Sequence, residues 1–224
     1  MSLDIFNKEE IDTKSLKDQV REKLRTAIIT SRLKPGQKIK ETEIGRQLGF
    51  SQVPVREALR GLEEEGLVKS ERFKGSFVTE IDKNEIHHIF LLRSTIECNS
   101  LDIIYRNLDQ NFINSLLEIV NEMVKIEKTG DYERIAQLDV EFHSLIVSWP
   151  KVEVYFRTWN TLNGHIQRYI NFSHPTLYEI SDISKKHFQL IEALKTKSLG
   201  EIKQELRKHI LEAIPQSEDE IGKD

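Results

Sequence analysis

The chain has 224 residues, 38% hydrophobic and 31% charged, with a formal net charge of −4 and a single cysteine, Cys98. That length suits two small domains, no apolar run reaches the roughly 18 residues of a membrane helix, and one cysteine excludes an intrachain disulfide. Residues 1–13 are polar and acidic, without the basic-then-apolar pattern of a secretory signal, so a flexible tail on a cytoplasmic protein is expected. The net charge hides an asymmetry. Residues 14–82 carry 15 Lys and Arg against 11 Asp and Glu, a net of +4, which leaves −8 for the rest. A basic segment on an acidic chain is either a solvated face or the footprint of a polyanion.

The first element is a helix in SLKDQVREKLRTAIITSRL, where Leu16, Val20, Leu24, Ala27 and Ile28 recur at three- and four-residue spacing. Lys34-Pro35-Gly36 is a turn signal and should end it. A short helix follows in KETEIGRQLG, closed by Gly49. The next helix begins at Ser51, a favourable N-cap, carries Pro54 in its first turn and turns Val55, Ala58, Leu59 and Leu62 inward; Gly66 stops it. The period then changes to two, and residues 67–71 and 76–80 read as strands joined by a tip at Arg72–Gly75. Helix, tight turn, helix and hairpin make a winged helix-turn-helix over 14–82, whose second helix would enter a major groove. Gln52, Arg56 and Arg60 lie four apart on the face opposite the apolar stripe, with side chains that reach base edges or phosphates. Ser51 offers a helix N-terminus to a phosphate, and Arg72, Lys74 and Gly75 suit a wing contact. Taken singly, these residues read equally as ordinary surface groups.

From 83 to 214 almost nothing alternates with period two. Six helices are expected, at 83–106, 110–128, 131–148, 152–173, 180–196 and 199–214, forming an antiparallel all-α bundle. Residues 215–224 read as a frayed tail, and the fold class is mainly α. Asp139 and His143 are four apart and share a helix face flanked by Ile135, Phe142 and Ile146; His187 and His209 sit on the apolar stripes of two later helices. Four inward polar groups are either hydrogen-bonded core residues or metal ligands, and three imidazoles with a carboxylate suit Zn²⁺, Ni²⁺, Mn²⁺ or Fe²⁺. His165 shares a stripe with Leu162, Ile166 and Tyr169 and reads as a second cavity residue or a structural one. Trp149 and Trp159 read as core.

Residues 33–78, most of all PVREALRGLEEEGLV and the wing end KGSFV, resemble the winged helix of the GntR family of bacterial regulators. The resemblance implies DNA-contact positions at Thr42, Ser51, Gln52, Arg56 and Gly75. Gln52 stands where the family usually has Arg, which implies an altered operator preference. The helical part is similar to the FCD effector domain of the FadR subgroup, which implies a metal on Asp139, His143, His187 and His209, zinc foremost. FLLRSTIE matches the first helix of that domain, where Arg93 would face the ligand; a plain ion pair with Glu97 is the alternative. Cys98-Asn99 depart from the small residues usual there. The whole reads as a homodimeric, ligand-responsive repressor of a pseudo-palindromic double-stranded DNA operator, sensing a small carboxylate, with no membrane association and no catalysis. A sensor in which the ion itself is the signal, and a metal-dependent hydrolase, are the alternatives.

Overall fold

The computed structural model describes residues 15–49, 51–177 and 182–214. The expected tails, 1–13 and 215–224, lie outside the described residues. The chain divides after Ile81 into two compact units. Among the described residues no helix is long and apolar enough to cross a membrane.

The first unit opens with α1 (Leu16–Ile29), which buries Val20, Leu24, Ala27, Ile28 and Ile29. The sequence pattern extends this helix to Leu33, but it ends four residues sooner. Ser31 adopts a left-handed φ of 57°, and Leu33 folds back so that its N–H donates to Ala27 O at 2.8 Å with its side chain fully buried. Apolar periodicity cannot separate a last helical turn from a hydrophobic residue that packs from a turn. Next come α2 (Glu41–Leu48), closed by Gly49 at a φ of 69°, and α3 (Gln52–Glu64), which buries Val55, Ala58, Leu59 and Leu62. Ser51 holds the N-cap backbone position of α3 without a side-chain cap hydrogen bond, so its hydroxyl is not spent on the helix. Leu62 is fully buried in the core beside Leu24 and Ile28, and its truncation to alanine costs about 2–5 kcal/mol.

Three strands complete this unit: β1 (Lys38–Ile39), β2 (Val68–Glu71) and β3 (Gly75–Val78), antiparallel, in the order β1-β3-β2. β1 is absent from the sequence expectation because two residues carry no readable alternation. It forms because the turn at Pro35-Gly36 lays the chain along β3, with Gly36 N–H donating to Val78 O at 3.0 Å and Val78 N–H to Gln37 O at 2.9 Å. Glu71 pairs with Gly75, which leaves Arg72-Phe73-Lys74 as the hairpin loop.

The second unit is a bundle of α4 (Lys83–Ile104), a 3-10 turn at Tyr105–Asn107, α5 (Gln110–Glu127), α6 (Tyr132–Ser148), α7 (Glu153–Leu177), α8 (Ile183–Thr196) and α9 (Leu199–Leu211). Side-chain caps fix several starts. Asp82 accepts from Asn84 N–H and Glu85 N–H, Asp109 from Phe112 N–H, and Asp131 from Arg134 N–H; at α9 the Glu201 carboxylate accepts from Ser198 N–H and Oγ–H. α4 packs against α6, α7 and α9, while α5 packs against α6 and α8. This arrangement turns inward faces of α4, α6, α8 and α9 toward a common interior, and there the polar residues meet.

Candidate functional site

On the first unit, Thr42, Ser51, Gln52, Arg56, Arg60, Arg72, Lys74 and Gly75 are all exposed. Arg56 Nε donates to Glu41 Oε2 at 2.8 Å, and its Nη2 donates to Gln52 Oε1 at 3.2 Å. Gln52 and Arg56 therefore form one hydrogen-bonded pair, aimed by a carboxylate from the start of α2. Glu41 is a residue the sequence reading missed, because its partner lies on another helix. Arg60 lies 3.6 Å from Glu64, and Lys74 Nζ is 2.9 Å from Glu71. Exposed pairs of this kind hold about 1 kcal/mol or less.

In the second unit, Asp139 and His143 on α6, His187 on α8 and His209 on α9 converge, one ligand atom from each lying within 4.8 Å of the others. His143 Nε2 is 3.3 Å from His209 Nε2, His187 Nε2 is 3.3 Å from Asp139 Oδ1, and His143 Nε2 is 3.8 Å from Asp139 Oδ1. His143 and His187 are buried; Asp139 and His209 are partly buried.

Glu97 sits behind this group on α4, fully buried. Its Oε1 accepts from Arg93 Nε at 3.0 Å and from Trp159 Nε1 at 3.1 Å, and its Oε2 lies 2.6 Å from His143 Nδ1. Burial by itself would raise the Glu97 carboxyl, but His143 and Arg93 hold it below its ordinary value. It is thus a carboxylate, an acceptor only, so His143 carries its hydrogen on Nδ1 and turns the Nε2 lone pair inward. The same logic applies to His187, whose Nδ1 lies 2.8 Å from the Ile183 carbonyl oxygen. Its Nε2 is buried without a well-formed hydrogen bond and faces Asp139 Oδ1 at 3.3 Å. Burial, reinforced for His209 by the neighbouring His187 and His143 and for His143 by Arg93, keeps both imidazoles less basic than usual. Asp139 is pushed up by burial and pulled well below its ordinary value by His187, His143 and Arg93.

A buried imidazole nitrogen facing a buried carboxylate oxygen is costly unless a proton or a cation lies between them. Ligands roughly 2.0–2.1 Å from a tetrahedral zinc stand about 3.3–3.4 Å apart, close to the separations present here. The residues fit a divalent metal.

The same residues line one wall of a pocket of about 510 Å³, counting space open to solvent. Arg93 and Lys186 supply its cationic groups, and Ile135, Ile170, Ile183 and Ile210 its apolar walls. Arg93 pairs with Glu97, reaches Asp139 Oδ2 through Nη2 at 3.4 Å, and lines the cavity. His165 is half-buried on α7 and is not among the residues lining this pocket. A shared apolar stripe puts a residue inside the bundle without saying which part of the interior it reaches. Glu141, between Asp139 and His143 in sequence, points outward and pairs with Arg134 at 2.8 Å.

The family model described as "Bacterial regulatory proteins, gntR family" matches residues 16–78, and the FCD domain model matches residues 88–212. The chain is 26% identical to the uncharacterized HTH-type transcriptional regulator YdhC of Bacillus subtilis, over 83% of this chain and 84% of that one. It is 26% identical to the probable D-xylose utilization operon transcriptional repressor of Paenarthrobacter nicotinovorans (88% and 86% covered) and 23% identical to the transcriptional repressor RspR of Escherichia coli (89% and 88%). Among solved structures, E. coli McbR/YncC superposes with a TM-score of 0.73 at 22% identity, over 88% of this chain and 94% of that one.

Proposed function

This chain belongs to the GntR family of bacterial regulatory proteins and carries an FCD domain, and from that premise we propose that it is a metal-assisted, carboxylate-responsive repressor. The family and the relatives are transcriptional regulators, not enzymes, and Glu141, turned away from the site, agrees with that. Repression in particular is favoured by the two relatives named as repressors.

The observation that carries the proposal is the inward convergence of three imidazole Nε2 atoms and one carboxylate oxygen, with His187 Nε2 buried and unbonded. Asp139, His143, His187 and His209 would hold a divalent ion, and their three-nitrogen, one-oxygen donor set favours Zn²⁺ over Ni²⁺, Mn²⁺ or Fe²⁺. When bound, the ion would supply a Lewis-acidic centre beside the pocket. Glu97 and the Ile183 carbonyl hold His143 and His187 in the tautomer that presents Nε2, as outer carboxylates and carbonyls do around metal-binding histidines.

Charge chooses the effector class. Arg93 is cationic and Glu97 and Asp139 are anionic, so these three side chains carry one negative charge, and a divalent ion beside them would bring the group to one positive charge. Lys186, lining the same pocket, adds a second positive charge. An anion with a small apolar body, a short-chain carboxylate, fits this cationic group and the isoleucine walls. The isoleucine lining of the pocket favours an organic effector over the ion alone as signal.

On the other unit, Gln52 and Arg56 would read base edges, with Thr42, Ser51, Arg60, Arg72, Lys74 and Gly75 around them on phosphates and the wing. Reading both halves of a pseudo-palindrome takes two copies with half-sites about 34–36 Å apart or a multiple of that. Leu92 and Ile103, eleven residues apart and so on one face of α4, are exposed apolar side chains suited to a homodimer. The proposed compartment is the cytoplasm.

The test has two arms. Protein purified without chelator should carry about one equivalent of metal by elemental analysis. Operator duplex selected from randomised DNA should be released by a carboxylate found in a thermal-shift screen of metal-loaded protein. Metal-free protein with unaltered effector response would sink the metal half; failure to enrich any duplex would sink the operator half.

A further inference from the structure

Phe73 is the most exposed large apolar side chain among the described residues, at 94%. It sits in the β2–β3 loop at the third position of a turn closed by Lys74 N–H donating to Glu71 O at 3.0 Å, and its φ is 64°. A left-handed φ at that position is what glycine or asparagine supplies without steric cost; a phenylalanine there is strained. The ring lies 4.9 Å from the Arg72 guanidinium and joins no core. Neither hairpin stability nor solubility is served by a strained aromatic held in water. Arg72 and Lys74 flank it, both exposed, on the same compact unit as Gln52 and Arg56. A rigid apolar tip between two cations complements a polyanion with stackable walls, and duplex DNA has that chemistry.

We infer that Phe73 is an apolar wedge that enters the minor groove beside the half-site. Its ring lies against a base step while Arg72 and Lys74 hold the phosphates on either side. The inference rests on the operator-binding reading above and adds to it a contact that carries no charge. An aromatic side chain has only two torsions to immobilise, and the three-residue loop holds its backbone in place, so little freedom is lost on insertion.

The test uses the full-length protein and its selected operator duplex, with 2-aminopurine placed at the steps flanking each half-site. Binding should be followed against salt for the wild type, Phe73→Gly, Phe73→Asn, Lys74→Ala and Arg56→Ala. The wild type should brighten the probe by unstacking. Phe73→Gly and Phe73→Asn should bind about tenfold more weakly, abolish the brightening, leave the salt slope unchanged and raise the thermal midpoint, because both residues accept the left-handed backbone. Lys74→Ala should instead lower the salt slope by about one. Full affinity and full brightening in both Phe73 variants would overturn the wedge, as would a loss that resides in the salt slope or a change in self-association with DNA affinity intact. If Arg56→Ala loses binding while the Phe73 variants do not, the operator reading stands and the wedge alone falls. If the wild type enriches no duplex, both fall.

Discussion

In the winged unit the charged side chains proposed to touch DNA stand in water: Arg56 is 66% exposed and Arg60 82%, each paired with a single carboxylate. In the helical unit Arg93 and Glu97 are 2% and 0% exposed and bonded to each other, with His143 and Trp159 completing the set. The same ion pair chemistry therefore has two consequences. An exposed pair adds little to folding and is free to exchange its partner for a phosphate. A buried set cannot lose one member without leaving the others uncompensated, so it bears on stability and on the site at once. Substitutions in the first unit should separate binding from folding; substitutions in the second should not.

The largest effect is expected for Glu97→Ala. It strands Arg93, His143 Nδ1 and Trp159 Nε1 in the interior and should destabilise the protein by about 3–5 kcal/mol in denaturant unfolding. A loss under 1 kcal/mol would mean the buried network is not what holds α4 against α6 and α7. Glu97→Gln, which preserves shape, should instead cost about 10–100-fold in metal affinity through the orientation of His143. Next comes His187→Ala. It removes a ligand from the heart of the cluster, so metal content should drop to background and added zinc should no longer raise the thermal midpoint. At a hundredfold excess over Kd, that lost stabilisation is about 2.7 kcal/mol. Retention of a full equivalent of metal would break the ligand set.

Arg56→Ala reverses the pattern. Its operator affinity should fall by about 1–3 kcal/mol, with specificity relaxed at one base position, while denaturant unfolding moves by under about 1 kcal/mol. A stability loss equal to the binding loss would erase the contrast between the two units. The smallest effect is that of Arg60→Ala. Arg60 is a phosphate candidate further along α3, and its removal should weaken binding evenly across sequences and lower the salt slope by about one.

Much of the winged unit is legible in the chain because its signals are local. Gly49, Ser51, Pro54 and Gly66 bracket the helices within a few residues, and the apolar stripe of α3 leaves Gln52, Arg56 and Arg60 on the opposite face by helical geometry alone. What escapes is what depends on partners elsewhere. β1 is too short to show a period, Leu33 is apolar but not helical, and Glu41 meets Arg56 only because α2 and α3 cross. Phe73 escapes for another reason: a basic turn motif draws attention to its cations and gives no sign that the residue between them takes a left-handed backbone.

In the helical unit, helical spacing alone places Asp139 and His143 side by side, and the stripes of α8 and α9 turn His187 and His209 inward. Direction is local, since a 3.6-residue repeat decides which side of a helix a residue faces. Meeting is not local. Three helices bring these side chains to within a few ångströms and leave His187 Nε2 without a well-formed hydrogen bond, α4 seats Glu97 behind His143, and Lys186 but not His165 reaches the pocket wall. The amino-acid order thus determined the elements, their inward faces and the chemical types that wait on them. Only packing decided which of those types share a cavity, because distances between helices are set by the side chains of every helix that surrounds them.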